Sequence, residues 1–109
     1  MPAYVYFMAN KTNNVLYVGV TSNLLRRVWE HKSQANRDCF TAKYKCTKLV
    51  FFEETSCIKS AIMREKQLKD WMRSWKNALI SEHNPTWLDL SLTWYDSLEI
   101  ADQVRNDGL

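Results

Sequence analysis

Two short runs of β-branched and aromatic residues, AYVYFMA (residues 3–9) and VLYVGV (15–20), stand only Asn-Lys-Thr-Asn-Asn apart near the start of the chain. Asparagine tolerates left-handed backbone and favours turns, so the two runs read as the strands of a hairpin. Thr21, Ser22 and Asn23 then offer N-caps for SNLLRRVWEHKS, in which Leu24, Leu25, Val28 and Trp29 recur at helical spacing. The chain therefore opens β-β-α.

A polar, basic segment over residues 34–47 is followed by KLVFFEE (48–54), a third strand whose unbroken LVFF implies a central, buried place in the sheet. Residues 56–75 form the longest helical pattern. A second, shorter helix over 76–83 stops before Asn84-Pro85, because the residue before proline disfavours helical backbone. Beyond it periodicity is weak. The expected fold is α+β, a small three-stranded antiparallel-type sheet flanked by helices in the order β-β-α-β-α-α. The expected domain is residues 1–90, with 91–109 as an acidic extension that is part of it or partly disordered.

Length and apolar content, 109 residues and 46%, suit one domain with one modest core. MPAYVYFMAN lacks the basic start of a secretory signal, and no apolar run approaches the roughly 18 residues that span a bilayer. Cys39, Cys46 and Cys57 are odd in number and form no CxxC pair, which argues against a disulfide framework or zinc knuckle. A reduced, cytoplasmic setting is the expectation. Residues 26–76 hold 13 of the 15 Lys and Arg against six acids, a local +7, whereas residues 77–109 carry −5. Such a division suits one polyanion-facing surface, although ordinary solvated helix faces produce charge runs too.

Glu65 is the anomalous residue of the long helix. At about 100° per residue it falls among Ile58, Ala61, Ile62, Leu68 and Met72, where a carboxylate is costly unless it has a partner. Lys69, one turn on, is the structural candidate, and a hard divalent cation is the functional one. Arg27 and His31 share a face of the first helix beside Leu24, as a solvated pair would. Tyr6 and Tyr17 lie directly opposite each other if paired positions sum to 23, and a one-residue slip would separate their faces. Gly19, one of two glycines, leaves room for a polymer backbone or a helix to approach.

Taken together, YVY (4–6), LYVGVTSNLLRRVWEHK (16–32) and REKQLKDW (64–71) strongly resemble the GIY-YIG nuclease domain, in particular its small single-domain members related to the catalytic domain of the excision-repair incision subunit. The resemblance runs from Tyr4 to Leu90. It departs where Tyr4 replaces the glycine of the first signature half and Val18 the isoleucine of the second. It implies a metal-dependent endonuclease acting on DNA in repair, recombination or processing, structure-selective or weakly sequence-specific. It also implies catalytic roles for Tyr6, Tyr17, Arg27 and His31, with Tyr6 as the expected base and permutation of these roles left open. Glu65 matches the single acidic ligand of a divalent cation, magnesium or manganese in its place. Gly19 and Asn84 match supporting positions, Asn77 being the alternative to Asn84. Arg26, Lys43, Tyr44 and Lys45 are the expected contacts to the nucleic-acid backbone. RNA, a partner protein and a second copy of the chain remain open as partners, as does a non-catalytic binding module that keeps the fold.

Overall fold

The computed structural model describes residues 1–34 and 39–96. Strands β1 (Ala3–Ala9) and β2 (Leu16–Thr21) form the hairpin, followed by helix α1 (Leu24–Ser33), capped by the Asn23 side chain accepting from the Arg26 amide. A short helix absent from the sequence reading, α2 (Phe40–Lys43), lies in the basic segment. Strand β3 (Lys48–Thr55) and helices α3 (Ile58–Asp70) and α4 (Arg73–His83) complete the order. The fold is α+β with one antiparallel three-stranded sheet. Among the described residues no helix is long and apolar enough to cross a membrane.

Alternation along β1 builds a core on each side of the sheet. Ala3, Val5, Phe7 and Ala9 pack with Ala61 and Leu68 of α3 and Ile80 of α4, while Tyr6 and Met8 pack with Leu24 and Val28 of α1. Residues 91–96 join the α1 side: Tyr95 is buried there and its hydroxyl donates to the Leu25 carbonyl at 2.6 Å. The rest of the acidic extension lies outside the described residues.

Strand order is β2-β1-β3, so the central strand is β1 and not KLVFFEE. The LVFF run is continuous for another reason. Phe51 faces Phe7 and Leu49 faces Met8, and the extra residue between them, Val50, makes a bulge that sends Val50 and Phe51 both to the α3 and α4 side. The outer edge of β3 is closed by residues 84–90. Asn84 Nδ2 donates to the Val50 carbonyl at 3.0 Å, the Leu90 amide to the Leu49 carbonyl at 2.8 Å, and the Leu49 amide to Asp89 Oδ1 at 3.2 Å.

The single helix expected over 56–75 is broken. Trp71 (ψ 149°) and Met72 (ψ 150°) are extended, so α4 begins at Arg73 rather than near Lys76. No proline or glycine marks the break. Trp71 turns onto the core, with the Arg64 guanidinium 5.4 Å from its ring, which leaves Met72 exposed. Ile58 and Ile62 are exposed as well, so the apolar stripe around Glu65 narrows to Ala61 and Leu68. On α1, Leu25 and Trp29 face outward, and Leu24, Val28 and His31 are the buried line.

The hairpin register differs from the expected one by two residues: Tyr6 faces Gly19, and Tyr17 faces Met8. A two-residue shift preserves side-chain faces, so Tyr6 and Tyr17 remain on one side as diagonal neighbours with ring centroids 6.2 Å apart. The space above Gly19 is not left for a ligand or a helix, because Tyr6 fills it. A Cβ on Gly19 would lie 2.6 Å from Tyr6 Cζ and from Tyr6 Oη, and 2.7 Å from Tyr17 Cε2. Gly19→Ala is therefore expected to destabilise the fold by about 1–3 kcal/mol through overpacking. A urea midpoint equal to that of the wild type would contradict this packing.

Candidate functional site

Tyr6, fully buried at the centre of the sheet, has its hydroxyl 2.7 Å from His31 Nε2. A buried hydroxyl is costly without a partner, and the imidazole is that partner. His31 comes from the inner line of α1 and is itself buried, not the solvated residue that its spacing allowed. Its Nδ1 lies 2.8 Å from Thr41 Oγ1 on α2. Thr41 has no counterpart in the sequence reading, since it sits in an aperiodic segment whose lysines drew attention instead.

Tyr17 packs beside the pair, its ring centroid 5.3 Å from that of His31 and 5.9 Å from that of Phe40. Arg27, one turn before His31, is half exposed and lies 3.5 Å from Glu30, an ion pair of small energetic weight. Burial opposes its charge, but interaction with the Tyr6 and Tyr17 phenols outweighs that, and the guanidinium stays firmly protonated. Burial pushes the Tyr6 phenol far above its usual range, helped by Tyr17 and opposed by Arg27. Burial also pulls His31 down to about 4, with Arg27 adding to the effect and Glu30 opposing it. The resting pair is thus a neutral phenol on a neutral imidazole. Tyr6, Tyr17, Arg27 and His31 form one cluster on the α1 side of the sheet.

Glu65 belongs to the other side. Its mostly buried side chain places the carboxylate 3.4 Å from the exposed ammonium of Lys69, the pairing that helical spacing offers. Lys69 lines a groove at the β2 edge together with Leu16, Tyr17, Val18, Phe40 and Lys76, so the helix that carries Glu65 and the aromatic cluster border the same groove. Among the described residues no three His, Cys, Asp or Glu side chains gather to cage a metal. A lone carboxylate still fits a hard cation of the magnesium type, which keeps most of its waters and takes one or two carboxylates plus substrate phosphate.

Arg26, Lys43, Tyr44 and Lys45 are all exposed, with the Lys43 ammonium 5.5 Å from the Tyr44 ring centroid. Asn84 is buried and its amide is spent on structure, donating to the Val50 and Leu88 carbonyls and accepting from the Leu88 amide. Asn77 accepts from Arg73 Nε at 2.8 Å.

The depressed His31 value has a consequence for stability. An unfolded histidine titrates near 6.5 and the folded one at about 4, so below pH 6.5 the unfolded state binds the extra proton. Stability present above pH 6.5 is expected to fall by up to about 3 kcal/mol as pH drops to 4. His31→Gln should flatten that part of the profile in urea unfolding across pH. The Asp89 carboxyl is lowered below its usual value by Lys32 and Ser91 against the effect of burial, so it titrates beneath this window. Parallel profiles for the two proteins would show that the imidazole is not buried neutral.

The family model of the GIY-YIG catalytic domain matches residues 2–78. A UPF0213 protein of Desulfotalea psychrophila is 29% identical over 79 residues, 72% of each chain. A UPF0213 protein of Syntrophus aciditrophicus is 31% identical over 80 residues, 73% of this chain and 91% of that one. The solution structure of a UPF0213 protein of Bacillus halodurans aligns with a TM-score of 0.52 at 24% identity, covering 85% of this chain and 98% of the other, and supports the fold. With the family model spanning most of the chain and the fold in agreement, this protein belongs to the GIY-YIG catalytic domain family.

Proposed function

We propose that this protein is a metal-dependent endonuclease that hydrolyses DNA phosphodiesters, structure-selective or weakly sequence-specific, in repair, recombination or processing. The observation that carries this reading is the buried Tyr6–His31 hydrogen bond with Tyr17 and the Arg27 guanidinium beside it. That cluster combines a proton acceptor with a fixed positive charge, and the half-exposed guanidinium is not spent on packing.

Tyr6 holds its proton at rest, so it accepts one from the attacking water only as its own moves to Nε2 of His31. The water oxygen bonds to phosphorus as the bond from phosphorus to the leaving 3′ oxygen breaks and that oxygen keeps the electron pair. The phenol ends neutral, and the imidazole ends as imidazolium, the proton source for the leaving oxygen. Arg27, charged at every relevant pH and able to present two N–H groups to two oxygens, offsets the charge growing on the phosphate. Tyr17 orients the water or a phosphate oxygen. Glu65 would hold the divalent cation, magnesium or manganese, which when bound supplies charge stabilisation for the phosphate and the leaving 3′ oxygen. Arg26, Lys43, Tyr44 and Lys45, all exposed, grip backbone phosphates in this reading, with stacking on Tyr44, contacts that position without reading sequence.

The decisive measurement incubates the protein with duplex, single-stranded, branched and flapped DNA in magnesium, manganese or chelator. Cleavage should require the cation, weaken steeply as salt rises, and be lost in a folded Glu65→Ala protein. Lys69→Met separates the two partners of Glu65. If the carboxylate serves only the ion pair, both variants behave alike; if it serves the cation, Lys69→Met keeps its turnover and loses only DNA affinity. Inertness of the wild type across all substrates would favour a nucleic-acid-binding module instead.

A further inference from the structure

His31 is hydrogen-bonded at both ring nitrogens, and a neutral imidazole offers one donor and one acceptor. Whatever engages Nδ1 therefore decides what Nε2 presents to Tyr6. The group on Nδ1 is the hydroxyl of Thr41, which is 1% exposed and held from a separate element, α2. That element is fixed twice more: the Thr41 carbonyl accepts from the Cys46 amide at 2.7 Å, and the Phe40 ring packs on Tyr17.

A threonine hydroxyl both accepts and donates. When Thr41 accepts from Nδ1–H, its own proton points to Cys39 Sγ, 3.2 Å away. A bond donated to that sulfur stabilises the thiolate, in keeping with the lowered Cys39 value, whose largest cause is Thr41. All donors then run one way, from Tyr6 to His31 to Thr41 to Cys39. The opposite order would aim an Nε2–H at Tyr6, turn the phenol proton towards Tyr17 and leave Cys39 Sγ without a donor from Thr41.

We propose, resting on the nuclease reading above, that Thr41 is a positioning residue: by accepting the Nδ1 proton of His31 it holds the imidazole in the tautomer whose bare Nε2 takes the Tyr6 proton. The balance is simple. Water gives a proton to Tyr6 Oη, the phenol proton passes to Nε2, and Nδ1–H stays on His31 facing Thr41, which exchanges none. Besides Thr41, the titratable and charged groups around the imidazole are Tyr6 on β1, Tyr17 on β2, Arg27 and Glu30 on α1, and Cys39 beyond Thr41.

The test uses the full chain in two arms. Long-range ¹H–¹⁵N NMR should find His31 neutral with the proton on Nδ1 in the wild type, and mixed tautomers in Thr41→Val. In magnesium-dependent DNA cleavage, Thr41→Val should lose about 10- to 100-fold in kcat with KM unchanged and the acidic limb of the pH profile displaced. Thr41→Ser, which keeps the hydroxyl, should recover most of the rate. An Nε2–H tautomer in the wild type, or a Thr41→Val protein with wild-type kcat and pH profile, overturns the proposal. If the wild type cuts no DNA the nuclease reading falls, and the wild-type NMR spectrum still decides the role of Thr41. If Thr41→Val does not fold, the same spectrum and Thr41→Ala take its place.

Discussion

The phenol of Tyr6, sunk over Gly19 and bonded to His31, is the contact on which the rest of the arrangement hangs. Burying a hydroxyl without a partner costs roughly 1–3 kcal/mol on protein scales, so the ring cannot sit there alone. Its presence sets three other features in turn. The strand opposite must have a glycine at the facing position, which fixes the β1–β2 register. Helix α1 must rotate so that His31, rather than Trp29, faces inward. Once the imidazole is buried, its second nitrogen needs a partner too, and α2 supplies Thr41. One polar atom in the sheet thus orders a hairpin, a helix and a short loop helix.

Much of this fold is written in periodicity, and what escaped has identifiable causes. Strands β1 and β2, the Asn23 cap and the α+β order follow from short-range pattern. Register does not, because any even shift keeps the same residues on the same face. The place of KLVFFEE at an edge is hidden by the Val50 bulge and by an edge closed through Asn84, Asp89 and Leu90, all distant in sequence. The break at Trp71 carries no proline or glycine and results from the packing of that indole on the core, a tertiary effect. Within the site, spacing alone offered Arg27 and His31 only as helical neighbours. Family resemblance named their companions, and the structure brings Tyr6, Tyr17, Arg27 and His31 together. Thr41 was legible to neither approach, since no periodic pattern marks a residue buried from an irregular segment.

Glu65 is a subtler case. The apolar stripe around it is narrower than helical periodicity implies, because Ile58, Ile62 and Met72 are exposed. The side chain is 17% exposed and has the partner that helical spacing supplies, so it is not the unpaired buried charge that the sequence implied. What sets it apart is position: its partner Lys69 lines the groove that Tyr17 also borders.

Helix α1 and helix α3 cover opposite faces of the sheet, so side chains carried by the two come together around its rim. The β3 edge is closed by residues 84–90, and β1 has strands on both sides. That leaves the edge of β2, whose only strand neighbour among the described residues is β1. There Tyr17 from the aromatic cluster, Phe40 from α2, Lys69 from α3 and Lys76 from α4 line one groove. The cleft thus carries two ammonium groups beside two aromatic rings. Tyr17 of the aromatic cluster and Lys69, the ion-pair partner of Glu65 on α3, meet at one sheet edge because the strand order leaves that side of β2 without a strand among the described residues.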